Sequence, residues 1–116
     1  MLTADEIAQV ETRAMRVSMD YERRHGARVF DVSTPSRAAA LGLPDWPGFD
    51  VLSDRPDENA QRAIEVKGRA NGGLIELSEN EWSNACNLRE RYWLYVVYHC
   101  ATTAPVLHRI HLSLDF

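Results

Sequence analysis

The chain has 116 residues, the length of one compact domain and too short for two ordinary ones. With 45% hydrophobic and 26% charged residues it has the composition of a globular protein, and a chain this long buries enough surface to fold without disulfide or metal staples. Thirteen Lys and Arg against 17 Asp and Glu leave a net charge of −4. That argues against holding nucleic acid through overall basicity, yet leaves room for acidic metal ligands inside a basic rim.

The N-terminus, Met1-Leu2-Thr3-Ala4-Asp5-Glu6, is acidic and carries no basic segment followed by an apolar stretch. The longest aromatic and aliphatic run, Tyr92-Trp93-Leu94-Tyr95-Val96-Val97-Tyr98, falls far short of the roughly 18 residues a membrane helix needs. The expected location is cytoplasmic, with no membrane partner. Cys86 and Cys100 fit no metal-binding spacing and are expected to be free, buried thiols.

Ile7, Val10, Ala14, Val17 and Tyr21 recur at spacings of three and four and predict a first helix, with Thr3 as N-cap and Gly26 as its stop. Residues 28–33 read as a short strand. Residues 34–47, with Pro35, Gly42, Pro44 and Pro47, read as mostly loop with one helical turn at 36–41. A second strand is predicted at 49–52, a turn at 53–59 and a third strand at 62–68. Asn71-Gly72-Gly73 then reverses the chain into a fourth extended segment at 74–77. Ser78 with Glu81 three residues on is a capping box, opening a helix to about Arg91 that buries Trp82, Ala85, Cys86 and Leu88. Tyr92–Tyr98, apolar on both faces, reads as a central strand, and 106–112 as a last strand at an edge. The order α-β-β-β-β-α-β-β predicts an α/β fold, a mixed central sheet flanked by helices.

Chemistry concentrates in Ile64-Glu65-Val66-Lys67-Gly68. Strand alternation points Glu65 and Lys67 one way and Ile64 and Val66 the other. Gly68 lets a second backbone or a ligand approach closely. If the strand holding Gly48-Phe49-Asp50 pairs with this one, Asp50 lies beside Glu65. The ordinary reading of an isolated E-x-K in a strand is a surface salt bridge.

The remaining segments weigh against that ordinary reading. Val10-Glu11 with Ala14-Met15, Tyr21-Glu22, Gly26, Asp31-Val32-Ser33, Gly48-Phe49-Asp50, Ile64-Glu65-Val66-Lys67-Gly68, Asn80-Glu81-Trp82 and Tyr92-Trp93-Leu94-Tyr95-Val96-Val97 follow one another in order. In that order the chain resembles the domain of unknown function at the C-terminus of the plant NO VEIN protein and of many bacterial helicase-like and restriction-related proteins. That family is similar to the PD-(D/E)XK nucleases, which implies a restriction-endonuclease-like fold.

The resemblance implies that Asp50 and Glu65 bind metal, that Lys67 is the lysine of the motif, and that Glu11 is the first-helix glutamate. Glu11 lies about 40° round the helix from Ile7 and borders the buried face, whereas Glu22 shares its azimuth but sits about 16 Å further along. Only one of the two can reach a single ion. Glu11 is favoured, with Glu22 as a solvated partner of nearby arginines. Carboxylates about 4 Å apart repel by roughly 4 kcal/mol at an effective dielectric of 20, so gathering Glu11, Asp50 and Glu65 implies a cation, and hard oxygen donors suit Mg²⁺ or Mn²⁺. The implied activity is metal-dependent hydrolysis of DNA phosphodiesters, with Glu11, Asp50, Glu65 and Lys67 catalytic.

Arg23, Arg24, Arg28, Arg69, Arg89 and Arg91 fall near element ends, either as a basic rim for the DNA backbone or as ordinary helix-end and loop charges. His108 and His111 sit three apart in a strand and point to opposite faces. Trp46 and Trp82 read as packing, and the capping box accounts for Glu81. The chain stops at Asp115-Phe116, directly after the last strand, as expected of a single domain excised from a larger DNA-processing, restriction or anti-phage defence protein that also carries a helicase. The competing expectation is a nuclease fold that has lost turnover and serves as a DNA- or protein-binding module.

Overall fold

A computed structural model describes residues 1–45 and 47–112. The sequence readings for Trp46 and for the end at Asp115-Phe116 lie outside the described residues. Among the described residues the α-helices and strands follow one another as α1 (Ala4–Arg24), β1 (Arg28–Asp31), α2 (Pro35–Ala40), β2 (Val51–Arg55), β3 (Ala60–Gly68), α3 (Glu79–Leu88), β4 (Tyr92–Tyr98) and β5 (Val106–His111). The strands form one mixed sheet in the order β1-β2-β3-β4-β5. The pairs β1–β2, β2–β3 and β4–β5 are antiparallel and β3–β4 is parallel. The α/β fold and mixed sheet flanked by helices follow as predicted.

Local chemistry explains the helix starts. Thr3 and Glu6 close a capping box at α1, and Ser78 and Glu81 close one at α3, each satisfying two backbone N–H groups with no helical partner. Thr34 caps α2, whose first turn carries Pro35.

α1 packs on the sheet through Val10, Ala14, Ser18 and Glu22, an i, i+4 ladder. Ile7, expected on the buried face, is exposed. Val10 and Ala14 meet Val97 and Cys100, while Met15, Met19 and Tyr21 pack on Val51, Ile64 and Tyr95. Gly68 makes this seating possible, since a Cβ there would lie 2.8 Å from the Ala14 Cβ.

The predicted fourth extended segment at 74–77 forms no strand, and Leu74 is exposed. The two edges of β3 are taken by β2 and β4, so residues 69–78 instead start the crossover that a parallel β3–β4 pair requires. The turn predicted at 53–59 shrinks to a single 3-10 turn, Pro56–Glu58, closed by Asn59 at φ 49°. Ser53 and Arg55 read as turn residues because they are polar, yet they are buried in β2. α3 ends at Leu88 rather than near Arg91, with Arg89 at φ 52° opening a 3-10 turn into β4. On α3, Ala85 is buried as expected but Trp82 is half exposed. Cys100 is a buried free thiol and Cys86 a half-buried one.

The buried polar residues of β2 face Glu22. Its carboxylate accepts from Ser53 Oγ at 2.7 Å, from Arg55 Nη2 at 2.8 Å and from the Tyr95 hydroxyl, with Arg62 Nη1 3.7 Å away. Glu22 is thus an arginine partner as expected, but a fully buried one rather than a solvated one. Burial alone would push its pKa up, but the hydrogen bonds from Arg55, Tyr95 and Ser53 and the Arg62 charge hold it below the ordinary carboxylate range.

Removing one member of such a pair strands a buried charge. Glu22→Ala is therefore expected to destabilise the fold by about 3–5 kcal/mol, read as a fall in the urea midpoint. An unchanged midpoint would show that Arg55 finds water instead.

Candidate active site

β3 outruns its antiparallel neighbour. The last β2–β3 pair is Val51 with Ile64, and beyond it Glu65–Gly68 pair with β4 alone. On the vacated edge Asp50 takes over. Its N–H donates to the Ile64 carbonyl, its carbonyl accepts from the Val32 N–H, and its Oδ2 accepts from the Val66 N–H, each at 2.9 Å. A side-chain carboxylate thus stands in for the missing strand and is thereby brought against Glu65.

Alternation sorts the side chains of β3. Arg62, Ile64 and Val66 face α1, where Arg62 reaches the Tyr95 hydroxyl and Ile64 joins the core. Glu65 and Lys67 face the other layer, where Lys67 Nζ donates to Glu81 Oε2 of α3 at 2.6 Å. The Tyr92 hydroxyl at the start of β4 is buried with no hydrogen-bond partner among the described residues, and the Glu65, Glu81 and Asp50 charges lie close enough to act on it.

Protonation follows from this crowding. Burial pushes Glu65 up first, and the neighbouring Asp50 and Glu81 carboxylates carry it to about 9. Burial also raises Asp50, although the Val66 N–H, a hydrogen bond with Glu65 and the Lys67 charge oppose the shift. Glu81 goes the other way: burial would raise it, but Lys67, the Ser78 N–H and a hydrogen bond from Glu65 hold it at about 2. Asp50 and Glu65 hold a proton between them while Glu81 stays ionised. A divalent cation can replace that proton, and two hard carboxylate oxygens are a donor set suited to Mg²⁺ or Mn²⁺.

The pair opens into a cleft of about 950 Å³. Glu11, Arg16 and Arg23 of α1 form one wall, with Arg37 of α2 beyond them and Lys67 and Arg69 at the end of β3. Of the predicted site residues, Asp50, Glu65 and Lys67 come together. Glu11 lines the same cleft but is exposed on the helix that covers the Ile64 and Val66 face, while Glu65 points to the opposite face. Among the described residues no three His, Cys, Asp or Glu side chains are arranged as a metal-holding group, and the acids that crowd Asp50 and Glu65 include Glu81 rather than Glu11. Of the predicted basic rim, Arg23 and Arg69 line the cleft, whereas Arg28 is paired with Asp54 at 2.7 Å.

Glu81 and Tyr92 were not singled out as site residues in the sequence. A capping box hides Glu81, because its spacing already explains a glutamate there. Tyr92 opens an apolar run in which a hydroxyl carries no signal. His108 and His111 stand on opposite faces, against Tyr98 and Trp93, and share no site.

A family model for the C-terminal region of the protein NO VEIN matches residues 10–110. No curated protein and no solved structure matches the chain. Among the described residues no helix is long and apolar enough to cross a membrane.

Two outcomes are expected from the metal-free protein. An acid whose folded pKa lies above its unfolded value contributes stability fully present below the unfolded pKa and lost as pH rises through the folded one. Stability should therefore fall between about pH 4.5 and 9, and Glu65→Gln should flatten that fall, as read by urea titrations across the range. A slope that survives in Glu65→Gln would place the proton elsewhere. Separately, Tyr92→Phe removes a hydroxyl that has no partner among the described residues and should leave the urea midpoint equal or higher, whereas a clear loss would reveal a bond to the acids.

Proposed function

Since the chain belongs to the NO VEIN C-terminal family, its match running over residues 10–110, we propose that it is a metal-dependent nuclease-like module of the PD-(D/E)XK type that hydrolyses DNA phosphodiesters. The observation that carries this reading is the Asp50–Glu65 pair, held beside β3 just beyond the end of β2 with Lys67 two residues on. The mixed sheet flanked by helices is compatible with the restriction-endonuclease-like fold. Asp50 and Glu65 would hold Mg²⁺ or Mn²⁺, which when bound supplies a Lewis acid for the phosphate and lowers the pKa of the attacking water. Glu11 lines the same cleft from the α1 wall, where it would face the bound DNA or metal-bound water rather than join Asp50 and Glu65.

The protein's own groups supply the rest. Lys67 places a positive charge where the phosphate oxygens gain negative charge. Arg16, Arg23, Arg37 and Arg69 around the cleft position the DNA backbone, which gives affinity without sequence readout. Such a module suits a DNA-processing, restriction or anti-phage defence protein in the cytoplasm, working beside a helicase domain.

One observation favours a second reading, a nuclease fold kept as a DNA- or protein-binding module. Among the described residues no group of three or more side chains is arranged to hold a metal ion, and Lys67 is already paired with Glu81. Calorimetric titration with Mn²⁺ together with a plasmid-nicking assay separates the two. The nuclease reading expects saturable Mn²⁺ binding and nicking, both abolished by Asp50→Asn or Glu65→Gln without loss of metal-free stability. Silence of the unaltered protein in both assays favours the binding module. Loss of metal-free stability in both variants would mark the acids as structural.

A further inference from the structure

Lys67 donates to Glu81 at 2.6 Å, and that carboxylate is fixed at both oxygens. Oε2 accepts from Lys67, while Oε1 accepts from the Ser78 N–H at 2.8 Å. The Glu81 N–H in turn donates to Ser78 Oγ at 3.1 Å. A capping box needs a carboxylate or amide at this position but no lysine across the gap. The pairing with Lys67 is therefore additional to the cap.

One turn further on, Asn84 shares the face of α3 that carries Glu81. Its side chain closes over Gly48, whose φ is +92° and where a Cβ would come within 2.6 Å of it. Gly48 lies two residues before Asp50. The same short helix therefore braces the Asp50 loop through Asn84 and the end of β3 through Glu81. We propose that Glu81 is a positioning residue: it holds the Lys67 ammonium beside the Asp50–Glu65 pair, so that the first turn of α3 sets where positive charge meets the substrate phosphate. The inference rests on the nuclease reading.

The test compares Glu81→Gln with Ser78→Ala in the full chain. Glu81→Gln keeps a side-chain carbonyl for the Ser78 N–H but removes the charge facing Lys67. Ser78→Ala weakens the same cap and leaves that charge in place. Each is followed by Mn²⁺ calorimetry, by plasmid nicking at saturating Mn²⁺, and by ¹⁵N NMR of the Lys67 ammonium, visible only while its protons exchange slowly. Glu81→Gln is expected to slow nicking about 10–100-fold, the scale of a misplaced catalytic group, with Mn²⁺ affinity unchanged and the ammonium signal lost. Ser78→Ala is expected to lower thermal stability while keeping both the nicking rate and the signal.

Equal effects of the two variants on nicking would overturn the proposal, since the cap alone would then explain Glu81. So would weakened Mn²⁺ binding in Glu81→Gln, which would make it a ligand. If the unaltered protein neither binds Mn²⁺ nor nicks, the nuclease reading fails by itself and the ammonium signal decides. Its loss in Glu81→Gln alone still supports positioning, and its persistence there overturns it.

Discussion

Two carboxyl groups pressed together where β2 leaves β3 set the terms for the surrounding structure. At about 4 Å and an effective dielectric of 20, such a pair repels by roughly 4 kcal/mol when both are ionised, so the fold must hold it in place. The Val66 N–H fixes Asp50, the sheet fixes Glu65, and the proton they share relieves the repulsion. The mismatch in length between β2 and β3 is what makes room for this arrangement. An ordinary hairpin of equal strands would satisfy the Val66 N–H with a backbone carbonyl and leave Asp50 in solvent.

On the other face of the same sheet a second polar cluster has the opposite character. Glu22, Arg55, Ser53, Tyr95 and Arg62 are mutually satisfied beneath α1. There the charges are complementary, and the cluster fixes where the helix lies. Around Asp50 and Glu65 the acids outnumber the single lysine, which is itself engaged by Glu81. One cluster is balanced in charge within the chain, and the other is relieved by a proton.

Much of this was legible in the sequence. The first helix, the central Tyr92–Tyr98 strand and the edge strand announce themselves through spacing and hydropathy. Alternation in Ile64-Glu65-Val66-Lys67 was sufficient to pair Glu65 with Lys67 on one face. The same alternation carried an unused consequence. If the first helix packs on Ile64 and Val66, a glutamate of that helix cannot stand on the face of Glu65, which is why Glu11 stays on the far wall. Ser53 and Arg55 were misread because a buried polar strand residue looks like a turn residue until its partner is known. That partner, Glu22, lies 31 and 33 residues away. Residues 74–77 were misread because strand-like composition cannot reveal that both edges of β3 are occupied.

The two polar clusters make the sheet a partition between regimes of proton exchange. A guanidinium keeps its proton throughout the physiological range, and the depressed Glu22 stays ionised there too, so the helix anchor is indifferent to mild acid or alkali. The opposite layer trades protons across that very interval. Changes of pH therefore act on the Asp50–Glu65 layer while the charges that anchor the helix stay as they are.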